Sequence, residues 1–365
     1  MTSMTTIPGP VTGGVDTHGD THHAAVIDQV GREIADAEFR ATPAGYRQLL
    51  GWLRGHGSLQ RVGVEGTGAY GAGLARHLRG QGVSLVEVDR PDRKTRRAKG
   101  KSDPIDAYAA ARAALNGSAT GTPKTRDGRV EAIRALRVAR RGAVKARTQA
   151  MNQLKALVVT GPADLREALR DLPAGVLIDT CARLRPGAQG ADLAALSDPA
   201  AATKTALRHL ARRHQRLGQE ITELDADILP LVRAAAPALL ALRGVGPEVA
   251  GQLLATAGDN PDRLRCEAAL AHLCGVAPIP ASSGRTDRHR LNRGGDRAAN
   301  NALHTIVMSR LRYDPRTQQY MARRTAQGLG KKEIIRCLKR YVLRDVYRAL
   351  LTAPATPTKD LAPAT

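Results

Sequence analysis

Gly14-Val15-Asp16-Thr17-His18, then Ala24-Ala25-Val26-Ile27-Asp28, then the run from Glu33 to Phe39 follow one another with only short polar breaks. The second break, Gln29-Val30-Gly31-Arg32, reads as a turn. Three short runs this close together predict an antiparallel meander. From Pro43 the period changes, and Tyr46, Leu49, Leu50 and Leu53 fall on one face of a helix. A strand at Arg61-Val62-Gly63-Val64-Glu65 comes next, followed by a helix from about Tyr70 to Leu78. A strand from Val83 to Val88 and a helix from Pro104 to Leu115 complete the series. The predicted order is βββαβαβα, and its alternating half implies parallel strands joined by crossover helices.

That order is the one found in RNase H-like nuclease folds. Beyond it, residues 127–157 read as a basic amphipathic helix, and a second long helix runs from about Lys204 to Val232. They flank a Gly/Pro/Ala-rich stretch at 161–202, which suggests an αα-hairpin or coiled-coil spacer. Residues 237–350 are predominantly helical apart from a Gly/Ser-rich loop near 275–296, and the Pro/Ala/Thr-rich tail reads as disordered. The expected fold class is α/β plus mainly α. An RNase H-like (RuvC-like) domain occupies 12–117, a helical or coiled-coil spacer 125–235, a helical C-terminal domain 237–351 and a disordered tail 352–365.

Lys plus Arg number 56 against 34 Asp plus Glu, a formal charge of +22 in 365 residues. So large a positive charge points to a polyanionic partner, nucleic acid first. Aromatics are only 2%, so the stacking surfaces of common single-strand binders are largely missing. The four cysteines form no CxxC pair, which argues against a zinc finger and against a secreted disulfide scaffold. No apolar run approaches the length of a membrane span, and the expected setting is cytoplasmic, with the nucleoid.

Four carboxylates stand out. Asp16 lies in the first strand and Glu65 in the fourth, neighbours in an RNase H-like sheet. Asp103 and Asp106 open the last helix in Lys101-Ser102-Asp103-Pro104-Ile105-Asp106, and positions i and i+3 share a face. Four converging carboxylates repel unless cations sit among them. Oxygen-rich sites favour Mg²⁺ or Mn²⁺, and paired ions suit phosphodiester chemistry. Taken singly, each has a plainer reading: Asp16 as a turn residue, Ser102-Asp103-Pro104 as a helix start worth about 1 kcal/mol. His18, His22 and His23 match no standard zinc spacing and are read as residues of the first hairpin.

Basic residues cluster beside the acidic pair and again near the C-terminus. Arg93, Lys94, Arg96, Arg97, Lys99 and Lys101 precede Asp103 and could hold a phosphate backbone over the ions. Arg243-Gly244-Val245-Gly246-Pro247 fits a helix-hairpin-helix turn whose backbone N–H groups face a phosphate, with Gly244 and Gly246 as its tight points. Ser282 and Ser283 precede Gly284 in a loop that also carries Arg285, Arg288, Arg293 and Arg297. A hydroxyl attacks phosphorus only when its proton is removed and the phosphate charge is neutralised, and arginine forks supply the second need. Between Ser283 and Arg348 stand 17 Lys/Arg against 5 Asp/Glu, over half the net charge of the chain.

In these motifs the chain resembles the DEDD-type insertion-sequence transposases, which include the Piv-type invertases. The acidic set of their RuvC-like domain matches Asp16, Glu65, Asp103 and Asp106. Their C-terminal domain carries a Gly-Val-Gly hairpin like 244–246 and a Ser-Gly motif like Ser283-Gly284. The resemblance implies a DNA recombinase in which the metal-bound carboxylates polarise the scissile phosphate. Ser283, or Ser282 beside it, would attack to give a serine-linked DNA intermediate. It further implies double-stranded DNA as substrate, a bridge RNA as guide and a homo-oligomer, dimer or tetramer. One departure is Asn292-Arg293-Gly294-Gly295-Asp296-Arg297, where the family pattern has Lys-x-Gly-Asn before an Arg. The competing expectations are a RuvC-like junction nuclease that uses water, and a non-catalytic DNA/RNA-binding protein.

Overall fold

A computed structural model describes residues 9–88, 102–185, 197–285 and 289–352. The chain packs as two compact units, each discontinuous in sequence. The first comprises the residues up to Glu131 together with Thr256–Arg297, and the second Ala132–Ala255 together with 298–352.

The first unit is built on a five-stranded mixed sheet: β1 (Pro10–Thr17), β2 (Thr21–Asp28), β3 (Glu33–Arg40), β4 (Ser58–Glu65) and β5 (Leu85–Val88). Their spatial order is β3-β2-β1-β4-β5, antiparallel among the first three and parallel from β1 to β4 to β5. This topology is compatible with the RNase H-like arrangement expected from the strand order. Side chains alternate between faces with period two, so β2 serves two cores. Ala24 and Val26 join Val11, Val15, Val62 and Val64 against Leu49, Leu50 and Leu53 of α1 (Pro43–Gly55) and Leu74 and Leu78 of α2 (Ala72–Gly80). Ala25 and Ile27 turn the other way and meet Ala107, Tyr108 and Ala111 of α3 (Asp103–Leu115). Thr42 caps α1 by accepting the Gly45 N–H, with Pro43 next in line, the arrangement a helix start favours.

The later segment of this unit holds to residues 118–131 through single half-buried polar groups. The Asp259 carboxylate accepts the Val130 N–H at 2.7 Å, and Asn260 both accepts from Thr125 N–H and donates to the Pro123 carbonyl. Burial pushes the Asp259 carboxyl up, with three backbone N–H donors opposing that. Burial and the nearby Arg263 and Arg126 pull the Lys124 ammonium down to about 8. The stretch near 275–296, expected as a loop, carries a short antiparallel ladder of β6 (Ile279–Pro280) and β7 (His289–Arg290).

The second unit is helical. Its long members are α4 (Arg129–Thr160, whose first residues belong to the first unit) and α7 (Pro199–Ala235). Within the Gly/Pro/Ala-rich stretch between them, the described residues 161–185 fold α5 (Ala163–Leu169) and α6 (Ala174–Arg183). Pro162 and Pro173 stand at the helix starts, where a missing N–H costs nothing. Leu165, Leu169, Leu177, Ile178 and Cys181 then close a core with Leu154, Val158 and Leu207. Arg140 pairs with Asp225 across α4 and α7. The remaining helices are α8 (Pro237–Leu240), α9 (Pro247–Ala257, at the unit boundary), α11 (Arg297–Tyr313), α12 (Pro315–Ala326) and α13 (Lys331–Leu351). α10 (Glu267–Leu273) belongs to the first unit.

Candidate metal centre

Gly14-Val15-Asp16 and Gly63-Val64-Glu65 repeat one pattern on neighbouring parallel strands, with Gly14 in register with Gly63. Period two puts Asp16 on the face of Gly14 and Glu65 on that of Gly63. Helix α3 covers that face at backbone contact. A Cβ on Gly14 would lie 2.1 Å from the Ala107 carbonyl oxygen, and one on Gly63 2.4 Å from that of Ala110. The alanines of α3 and the two glycines therefore let helix and sheet approach closer than larger residues allow. One helical turn before Ala107 stands Asp103, and one turn before Ala110 stands Asp106, so both carboxylates are carried to the end of the sheet that bears Asp16 and Glu65. At the other edge the Tyr108 hydroxyl donates to Asp36 at 3.2 Å and Arg112 pairs with Glu33, fixing the helix against β3.

His18 completes the arrangement. Its peptide N–H donates to the Thr21 carbonyl in the tight β1–β2 turn. That leaves its Nε2 3.2 Å from Asp16 Oδ2 and 3.3 Å from Asp103 Oδ1. One donor atom from each of Asp16, His18 and Asp103 lies within 4.8 Å of the other two. Asp16 is buried, whereas His18 and Asp103 are partly open to solvent. Two carboxylates and an imidazole suit a divalent ion, and the nitrogen tilts the choice from Mg²⁺ toward Mn²⁺. The hairpin histidines thus part company. His22 is buried, stacked on Tyr46 at 5.6 Å, and burial lowers its pKa; His23 bonds Asp36 at 2.7 Å. The signal for His18 was its place two residues after Asp16, at the strand end. Ser102 makes no side-chain capping bond, so the plainer reading of Ser102-Asp103-Pro104 lacks its cap.

Glu65 also lines a cavity of about 1390 Å³ within the first unit, along with Glu87, Arg112, Arg263, Arg265 and His272. Ser282, Ser283 and Gly284 are exposed in the segment between β6 and β7, and Gly284 takes a left-handed φ of +57°. Arg285, Arg293 and Arg297 are exposed as well. Gly244 sits in the turn between α8 and α9 at φ +83°, a conformation that favours glycine, and Val245 N–H closes the turn on the Leu242 carbonyl. Gly246 directly precedes α9. Arg93, Lys94, Arg96, Arg97, Lys99, Lys101 and Arg288 lie outside the described residues. No helix among the described residues is long and apolar enough to cross a membrane.

Comparison with known proteins gives these motifs a context. Residues 13–160 match the family model of the DEDD IS110 transposases, described as "Transposase". Residues 236–322 match the "Transposase IS116/IS110/IS902 family". The chain is 27% identical over 161 residues to the "Insertion element IS900 uncharacterized 42 kDa protein" of Mycobacterium paratuberculosis, covering 42% of this chain and 40% of that protein. It is 35% identical over 109 residues to the "Insertion element IS110 uncharacterized 43.6 kDa protein" of Streptomyces coelicolor, covering 29% and 26%. The chain thus spans less than half the length of each of these relatives. With one transposase model matched over the sheet and its carboxylates and another over the later Gly-Val-Gly and Ser-Gly motifs, the chain belongs to the IS110-type insertion-sequence transposases.

Proposed function

We propose that this protein cuts and rejoins double-stranded DNA, using a divalent ion held by Asp16, His18 and Asp103 and completed by Glu65 and Asp106. The observation that carries the reading is the convergence of Asp16, His18 and Asp103 at the end of β1 in a chain of transposase family. Mg²⁺ or Mn²⁺ is the proposed ion, and when bound it supplies charge neutralisation at the scissile phosphate. Ser283 is the proposed nucleophile. As its Oγ–P bond forms, the P–O bond to the departing sugar oxygen breaks; the serine proton leaves to a base and the departing oxygen takes one up. One phosphodiester replaces another, so the reverse transfer onto a new sugar hydroxyl rejoins the strand without ATP. Arg285, Arg288, Arg293 and Arg297 are proposed to neutralise the phosphate, with the basic run 93–101 and the Gly244–Gly246 turn holding the backbone. A bridge RNA as guide, a dimer or tetramer as working form, and a place at the nucleoid complete the reading. So does the division of labour among residues 12–117, 125–235 and 237–351. The charge of +22 supports the nucleic-acid partners.

The test incubates the protein with labelled junction DNA, its flanking RNA and Mg²⁺ or Mn²⁺, denatures the sample and looks for protein-linked DNA. The expected result is a linked band that disappears in Ser283→Ala. Free cleaved DNA from Ser283→Ala would instead assign the cut to water and leave a metal-dependent nuclease. Binding without cleavage in any variant, wild type included, would favour the non-catalytic reading.

Salt supplies a second expected outcome. With about 6–10 phosphates contacted, nucleic-acid affinity should fall by about 10³–10⁵ between 50 and 200 mM salt. Fluorescence anisotropy across that range checks it, and a flat response sinks the basic-surface argument.

A further inference from the structure

The second unit has a cavity of its own, about 890 Å³, walled by α11, α12 and α13 and by Arg243 from the turn before α9. Val307, Leu338 and Val342 make its floor apolar, while Tyr320, Tyr341, Arg316 and Arg323 stand around them. The two tyrosine rings meet edge to face, centroids 5.5 Å apart, so they form a corner rather than a closed stack. Arg323 lies over Tyr320 and Arg344 over Tyr341, at 5.4 and 5.8 Å from the ring centroids. Tyr341 remains half exposed.

The aspartates of this wall are already matched. Asp345 pairs with Arg310 at 2.8 Å, and Asp314 caps α12 through Thr317 and pairs with Arg243. Arg316 and Arg323 have no carboxylate partner among the described residues. What remains on offer is therefore a flat apolar corner with free positive charge at its rim. The chain has only seven tyrosines, one phenylalanine and one tryptophan, so two tyrosines meeting at one cavity are a concentration that composition alone hides.

We infer that this cavity receives an unpaired nucleotide of a single strand, its base stacked on the half-exposed Tyr341 and abutting Tyr320 and its phosphates held by Arg316 and Arg323. A base has a π face that any tyrosine accepts, and a guanidinium above the same ring adds attraction for both base and phosphate. The cavity volume falls in the range that encloses a small ligand. A paired base cannot enter it, because its faces are covered by neighbours in the duplex. The inference goes beyond strand exchange at the metal centre: it gives the helical unit a way to tell unpaired from paired nucleic acid. Both RNA and DNA have the required base and phosphate, so the chemistry is shared and the sugar is left to experiment.

The test uses the full chain with a fluorescent twelve-nucleotide strand, made once as RNA and once as DNA, each with one 5-iodouracil, and with the DNA duplex as control. Tyr320→Leu/Tyr341→Leu should lower single-strand affinity by about tenfold or more and leave duplex affinity within about twofold. Tyr320→Phe/Tyr341→Phe should restore it, since the ring and not the hydroxyl does the stacking. Photocrosslinks should map to α12 or α13, and the stronger of the RNA and DNA strands identifies the natural source. Thermal melting confirms that the variants fold; if the leucine pair does not, Arg316→Gln/Arg323→Gln takes its place with the same expected loss. Unchanged single-strand affinity in folded variants, or crosslinks only in the first unit, would overturn the inference while leaving the cleavage reading untouched.

Discussion

Asp16→Asn should abolish Mn²⁺ binding and slow strand cleavage by about 10³-fold, with duplex affinity unchanged. Asp16 is the buried member of the cluster, so its charge is the least screened, and an amide keeps its shape while removing that charge. Charge neutralisation of a reacting phosphate by a bound ion is worth several kcal/mol, which at about 1.4 kcal/mol per decade gives the stated factor. The ion should also stabilise the wild-type fold by about 2.7 kcal/mol at one hundred times its Kd, because it binds the native state alone. Melting curves with and without Mn²⁺ therefore check the site without reference to cleavage: the midpoint should rise in the wild type and stay still in Asp16→Asn. In EDTA the variant should melt no lower than the wild type, since it removes one of several neighbouring negative charges. His18→Gln separates the imidazole from the carboxylates. It should weaken Mn²⁺ by at least about 10–100-fold, the loss that removing a mere partner of a metal ligand already causes, and narrow the preference for Mn²⁺ over Mg²⁺. Full Mn²⁺ stabilisation in Asp16→Asn would remove the centre from the protein.

The strand order was legible because each strand carries its own instruction. Alternating Ala24-Ala25-Val26-Ile27 buries both faces, and Gly-Val-Asp and Gly-Val-Glu announce two strands that end in carboxylates. The pairing of the strands that carry Asp16 and Glu65 was legible from topology, since the first and fourth strands of this order lie side by side. His18 was not, because its neighbourhood is made by a residue 85 positions later that only the packing of α3 brings near. Helices α5 and α6 were hidden by a composition that reads as linker, although Pro162 and Pro173 stand where helices begin. The grouping of Thr256–Arg297 with the sheet was hidden for another reason. It depends on Asp259 and Asn260 meeting backbone groups more than a hundred positions away, and no local pattern encodes such single polar ties. The corner of Tyr320 and Tyr341 was averaged away by a low aromatic fraction.

Gly14→Val should be the most damaging single change in the sheet, even though glycine is ordinarily a poor strand residue. Its added Cβ alone would stand 2.1 Å from Ala107 O and 2.2 Å from Ala111 N, both backbone atoms of α3 rather than the ends of flexible side chains. The residues around it are fully buried, with Val15, Ala25 and Val64 at 0% exposure, so relief must come from lifting α3 off the sheet. Overpacking of ordinary side chains costs about 1–3 kcal/mol, and a clash against backbone belongs at or above the top of that range. For a unit of this size about 3 kcal/mol lowers the melting midpoint by about 6–12 °C. The loss should reach beyond stability, because lifting α3 carries Asp103 and Asp106 away from Asp16 and Glu65. Gly63→Ala should act the same way against Ala110, whereas Gly80→Ala, with open space around its added Cβ, should leave stability within about 0.5 kcal/mol or raise it. Urea melts of the three variants, each with a Mn²⁺ titration, check the ordering. A Gly14→Val protein that melts with the wild type and still binds Mn²⁺ would show that small residues at the helix–sheet contact do not set the spacing of the carboxylates. A protein that melts early and has lost the ion ties the metal centre to the two glycines that let the helix come so close.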